Sequence, residues 1–145
     1  MRARIKSKRG GSRKLKQFRK LVEDAPDVRK PIVRNIAEET LSFTKERFRV
    51  EKNPYGKTWA PKKNSDGRKV LSGKTSRLKG GWHVAKMNRR GFTVAPSVKY
   101  ATFHQTGTTF FEARTMVPED GKVPKELLDS WIEIAKEILS DHFKQ

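Results

Sequence analysis

Leu15, Phe18, Leu21 and Val22 repeat at helical spacing behind Ser12, whose hydroxyl suits an N-cap. The pattern predicts a first helix that ends at Pro26. Asp27 is placed to cap a second, longer helix with an apolar stripe of Val28, Ile32, Val33, Ile36, Ala37, Leu41, Thr44 and Phe48. Pro31 falls in its first turn, where proline is tolerated, and Asn53-Pro54 sets its end. Two short alternating runs follow, Trp82 to Ala85 and Phe92 to Ala95, joined by Asn88-Arg89-Arg90-Gly91 as a hairpin turn. The alternation predicts a third strand over Val98 to His104. Residues 124–143 give the clearest helix, with Leu127, Leu128, Trp131, Ile132, Ala135, Ile138, Leu139 and Phe143 on one stripe and Glu126, Asp129, Glu133, Glu137 and Asp141 around much of the rest.

Two N-terminal helices, a strand cluster and a C-terminal helix predict one mixed α+β domain over residues 12–145. Its core should join Ile32, Ile36, Leu41, Phe48, Leu128, Trp131, Ala135 and Ile138 to Trp82, Val84, Phe92 and Val94. Residues 53–80 interrupt this pattern. Asn53, Pro54, Gly56, Pro61, Gly67 and Gly73 punctuate a basic, irregular stretch, and a loop this long inside a small domain is usually functional or disordered. Since its composition cannot build a core of its own, it should project and contact neighbouring subunits, with Tyr55 and Trp59 as anchors.

Charge adds a partner class. The chain is formally +18 over 145 residues. Arg2, Arg4, Lys6, Lys8, Arg9, Arg13, Lys14, Lys16, Arg19 and Lys20 supply more than half of that excess, with no acidic residue among the first twenty. Residues 1–11 read as a flexible basic arm hinged at Gly10-Gly11. The whole 1–20 segment should stay disordered until something acidic meets it. Nucleic acid and acidic protein surfaces fit that requirement, with Arg2, Arg4, Lys6, Lys8, Arg9, Arg13, Lys14 and Lys16 as the contacts. No apolar run approaches the ~20 residues that span a bilayer, and the basic N-terminus lacks the apolar region of a signal peptide. These features predict a soluble protein without a membrane partner. With no cysteine, disulfides and thiolate metal sites are excluded.

Catalytic chemistry finds no foothold. His83, His104 and His142 match no metal-ligand spacing, and no carboxylate pair or nucleophile–base set stands out. Gly73-Lys74-Thr75 resembles the end of a phosphate-binding loop, but no strand precedes it. Trp82 and Trp131 lie on predicted apolar faces. Trp59, beside Tyr55, can stack on a base or pin its loop to the domain, and aromatics without a sheet platform rarely bind bases. The residues predict a non-enzymatic protein with no cofactor and no metal.

One ordered series of residues goes further. Phe48 is followed by Asn53-Pro54-Tyr55-Gly56-Lys57, Trp59-Ala60-Pro61, Gly67-Arg68, Val70-Leu71, Arg77-Leu78 and Trp82. Tyr100-Ala101, His104-Gln105-Thr106-Gly107 and Ala113-Arg114 complete it. Over residues 40–145 this series resembles the virion morphogenesis, or tail-completion, proteins of tailed bacteriophages. It departs from their usual pattern at Ser76, at Thr106 and at Thr115-Met116. The resemblance implies helices packed on one side of a small antiparallel sheet. It also implies a structural virion protein of the neck or tail terminus, forming a ring, commonly six-fold, through which DNA passes. Its partners would be other copies of itself, the connector, tail tube or sheath, and the phage genome. Tyr55, Trp59, Arg68, Arg77, Tyr100, His104, Gln105 and Arg114 are then candidate subunit or partner contacts. The alternative from charge alone is a basic nucleic-acid-binding protein of the bacterial cytoplasm.

Overall fold

The computed structural model describes residues 2–4, 12–73 and 75–144. Its elements run β1 (Arg2–Arg4), α1 (Arg13–Glu23), α2 (Arg29–Val50), α3 (Arg77–Gly80), β2 (Trp82–Asn88), β3 (Gly91–Pro96), α4 (Ala101–Thr106) and α5 (Lys125–Phe143). This is the α+β arrangement expected.

The helices form where the apolar stripes placed them. The Ser12 hydroxyl accepts a hydrogen bond from the Leu15 N–H at 3.3 Å, which caps α1 and leaves Leu15, Phe18 and Val22 to bury one face. The α1 C-terminus is closed from the next helix, where Arg29 donates to the carbonyls of Glu23 at 2.7 Å and Val22 at 3.4 Å. Asp27 does not cap α2. Val28 occupies that position, and its apolar side chain, which has no atom to cap with, is buried. Along α2, Ile32, Val33, Ile36, Ala37, Phe43 and Phe48 are buried. Thr40 and Thr44 are fully buried among them, and each hydroxyl is satisfied by the carbonyl one turn back, Ile36 at 2.7 Å and Thr40 at 2.8 Å. Trp131 of α5 packs against Phe18 and Phe92, with ring centroids 5.8 Å apart in both pairs, and so joins α1, α5 and the sheet in one core. Its indole N–H donates to Thr40 Oγ1 at 3.1 Å. Leu41, Val84 and Ile138, expected in this core, pack at its margin half-buried.

The sheet has the order β1-β3-β2 and is antiparallel throughout. β2 and β3 form the expected hairpin, with Val84 opposite Val94 and Asn88 opposite Gly91, and an irregularity between Val84 and Lys86. Three expectations are corrected here. Arg2–Arg4, assigned to a flexible arm, pairs with β3, Ala3 opposite Phe92, and occupies backbone groups that β3 would otherwise leave as an open edge. The rest of the proposed arm, residues 5–11, lies outside the described residues. Residues 13–20 are helical rather than disordered, since burying Leu15 and Phe18 outweighs the charge repulsion and Lys14 pairs with Asp129. The third strand is absent, and the stretch from Ala101 forms α4 instead. Tyr100 and His104 then share a face, their rings 6.2 Å apart, while Ala101 is buried. A run this short fits either period, and burial of Ala101 selects the helical turn.

Candidate functional site

The loop after α2 does not project from the domain but is fastened to it. Glu51 ends α2 in the left-handed conformation, φ 55°, and its carboxylate accepts the Val70 N–H at 2.6 Å. The Asn53 side chain accepts from the N–H groups of Tyr55 and Lys57, both at 2.9 Å, which shapes Asn53-Pro54-Tyr55-Gly56-Lys57 into a tight turn. Chain direction is thereby reversed, and Trp59 N–H bonds back to the Glu51 carbonyl at 2.8 Å.

Trp59 then turns inward. It is 5% exposed, edge-on to Phe48 at 5.5 Å, and its indole N–H donates to the Thr115 carbonyl at 2.9 Å. Arg114 reaches the other way and donates to the carbonyls of Ala60 at 2.8 Å and Pro61 at 2.9 Å. Gln105 holds the facing segment. Its side-chain oxygen accepts from Met116 N–H at 2.8 Å and Val117 N–H at 3.3 Å, and its amide donates to the Val117 carbonyl at 2.9 Å. The Tyr55 hydroxyl closes the far end, donating to the Lys122 carbonyl at 2.8 Å and accepting from Glu119 N–H at 3.1 Å. Gly107 ends α4 at φ 79°, and a Cβ there would lie 2.7 Å from the Ala113 nitrogen, so only glycine lets the two segments approach.

Tyr55, Trp59, Gln105 and Arg114 are thus brought together as a latch between residues 53–61 and 105–122. The expectation that the loop projects is corrected, and the reading of Trp59 as a pin for its loop holds, because burying the indole with its N–H paired outweighs leaving it in water. Base stacking by Trp59 is precluded for the same reason. Arg68 stands apart, held by Asp66, whose carboxyl is lowered to about 2 by the Lys62 ammonium and the Arg68 backbone N–H. Arg77 is exposed at the start of α3. Arg13 and Lys16 are exposed on α1, as is Lys14, which reaches Asp129. Arg2 and Arg4 lie on β1, and Lys6, Lys8 and Arg9 fall outside the described residues.

Between the latched segments runs a cleft of about 780 Å³, lined by Lys57, Lys63, Phe111 and Glu112 among others. Two exposed phenylalanines, Phe103 and Phe110, escaped the sequence reading, which had named Tyr100. Tyr100, Phe103 and Phe110 are exposed, Phe110 at 80%. Lys63 Nζ donates to the Phe110 carbonyl at 2.8 Å, which places an ammonium beside Phe110. The signal was available for Phe110, set with Phe111 in an otherwise polar loop.

His104 links Tyr100 and Phe111 to the latch. Its ring lies 5.2 Å from that of Phe111, its carbonyl accepts Arg114 N–H at 2.7 Å, and its Nδ1 is buried with no hydrogen-bond partner. Burial, and then the Arg114 charge, lower its pKa below the ordinary 6.5. The unfolded chain therefore takes up a proton first as the pH falls, and stability should decline below about pH 6.5. Urea midpoints measured down to about pH 5 should show this decline in the wild type, and His104→Phe should flatten it. An unchanged pH slope in His104→Phe would remove His104 as its source. Among the described residues, no group of three or more His, Asp or Glu is placed to hold a metal ion.

Comparison with known proteins adds one match. The family model described as the phage virion morphogenesis family covers residues 12–128, which includes the latch and most of the core. No curated protein and no solved structure matches the chain significantly.

Proposed function

Since the chain belongs to the phage virion morphogenesis family, and so has a part in building phage particles, we propose that it is a structural protein of the neck or the head-proximal end of the tail. Copies form a ring there, and DNA passes through it. The carrying observation is the family match over residues 12–128, a span that takes in every latch residue. Its chemistry suits a scaffold: side chains that could act on a substrate are instead bonded to backbone carbonyls and N–H groups of the same domain.

The net charge of +18 per copy suits a lumen that meets DNA or an acidic neck or tail protein. It also makes association of the isolated protein weak, since like charges repel within a Debye length of about 10 Å at 0.1 M salt. Interrupting the gene with a nonsense codon tests this function. Lysates should contain filled heads and separate tails that do not join, with joining restored when purified protein is added. Normal infectious particles without the protein would overturn the reading and favour the nucleic-acid-binding alternative.

A further inference from the structure

The two faces of the sheet differ in character. Trp82, Phe92 and Val94 are buried, and α2 packs on their side together with Trp131 of α5. Alternation along β3 puts Thr93 and Ala95 on the opposite face. Residues directly across a ladder share a face, so Lys86 joins Thr93 there, His83 joins Ala95 and Asn88 joins Gly91. Lys86 owes this place to the irregularity in β2. Plain alternation from Trp82 and Val84 would turn it toward the core, but the pairing shifts between Val84 and Lys86. The Asn88 side chain accepts from the Arg90 N–H at 2.8 Å, which shapes the turn that presents Arg89 and Arg90. Lys86, Arg89 and Arg90 are all exposed. The register of β1 sets Arg2 in the row of Thr93 and Lys86, and Arg4 in the row of Gly91 and Asn88.

No carboxylate balances these cations. The chain has no Asp or Glu from Gly67 to Phe111, and none in Arg2–Arg4. Among the described residues, every ion pair lies elsewhere. The face also lacks the anchors of a protein interface, which are aromatic and apolar side chains. It carries no Phe, Tyr or Trp, and Met87, opposite Phe92, stands on the core side. The exposed rings of Tyr100, Phe103, Phe110 and Phe143 belong to other segments.

We propose that this face of the sheet binds duplex DNA along its phosphate backbone, with Lys86, Arg89 and Arg90 as contacts and Arg2 and Arg4 set in the same rows. A duplex carries one negative charge per ~1.7 Å of axis, which suits a compact group of unbalanced cations on a flat, polar face. A single strand is held by stacking its bases on aromatic rings, and this face presents no Phe, Tyr or Trp for that. Contacts to phosphate alone make the binding independent of sequence. The inference rests on the reading that DNA passes through a ring of copies, and it names the face turned to the passage.

Binding of the full-length protein to a short random-sequence duplex, followed by fluorescence anisotropy over a range of salt, tests it. So basic a chain holds DNA at more than one place, so two variants of equal charge are compared. One carries Lys86→Gln, Arg89→Gln and Arg90→Gln on the face. The other carries Lys30→Gln, Arg34→Gln and Lys136→Gln on α2 and α5. All six positions are exposed, so neither set touches the core. The face variant should bind about tenfold or more weakly at 0.1 M salt, and its slope of log affinity against log salt should fall by about 2–3. The helix variant should lose much less of both. Equal losses in the two variants, or full binding by the face variant, would overturn the proposal. A second measurement keeps every cation. With no native cysteine, His83→Cys gives one labelling site on the face, and a photo-cross-linker there should attach to the duplex. The same label at Glu38→Cys, exposed on α2, should not. In assembled particles, attachment of the His83→Cys label to protein alone would identify an acidic neighbour as the occupant, overturning this contact and leaving the ring. A single copy per particle would sink the ring, while the solution comparison tests the face whatever the copy number.

Discussion

Truncating Trp131 to alanine should destabilise the domain by roughly 3–5 kcal/mol. This residue is 2% exposed, touches Phe18 of α1 and Phe92 of β3, and donates its indole N–H to Thr40 of α2. Removing it opens a cavity lined by α1, α2 and β3, and none can close it without giving up its own contacts. Thr40 keeps its bond to the Ile36 carbonyl, so the loss is mainly of packing. Against a total stability of about 5–15 kcal/mol, a change this large should lower the melting temperature by roughly 10–20 °C. Trp131→Phe separates the parts: it restores much of the volume and should leave a deficit nearer 1 kcal/mol for the lost hydrogen bond together with residual misfit. A soluble Trp131→Ala protein with an unchanged melting temperature would show that the core is not centred there.

Trp59→Ala should also cost roughly 3–5 kcal/mol in packing, but with a different outcome. Trp59 holds a loop rather than joining helices to the sheet, so the loss should appear as local opening of residues 53–61 while the helices and hairpin remain. Limited proteolysis should cut the variant within this loop under conditions that leave the wild type whole, with little change in far-ultraviolet circular dichroism. If the latched surface is the one that meets other copies, the variant should be folded and yet fail to enter the particle. Arg114→Ala removes the two bonds to Ala60 and Pro61 from the opposite side and should loosen the same loop more mildly, by about 1.5–3 kcal/mol. Wild-type resistance to protease together with normal incorporation of Trp59→Ala would show that the latch does not matter for assembly.

Both residues stood out in the sequence, Trp131 as core and Trp59 as a pin for its loop, yet only the first had partners legible there. Trp131 sits on a stripe with Leu127, Leu128 and Ala135, and that periodicity alone marks it as core. Trp59 sits in a loop without periodicity, and its partner is the backbone carbonyl of Thr115. A carbonyl has no residue type, so nothing in the chain could name it. The same holds for Gln105 with the backbone of Met116 and Val117, and for Arg114 with Ala60 and Pro61.

Local pattern by itself determined α1, α2, α5 and the hairpin, because an amphipathic stripe or an alternating pair around a turn states its period within a few residues. It also determined the resemblance to phage morphogenesis proteins, through polar and aromatic residues at particular spacings. Tertiary structure decided the rest. It turned Ala101–Thr106 into a helix by burying Ala101, drew Arg2–Arg4 onto the edge of β3, and folded the 53–61 loop back onto residues 105–122. It also left Phe143 in the open at the end of a stripe that reads as buried, because a helix's own period says which side is apolar but not how far the neighbours that cover it extend.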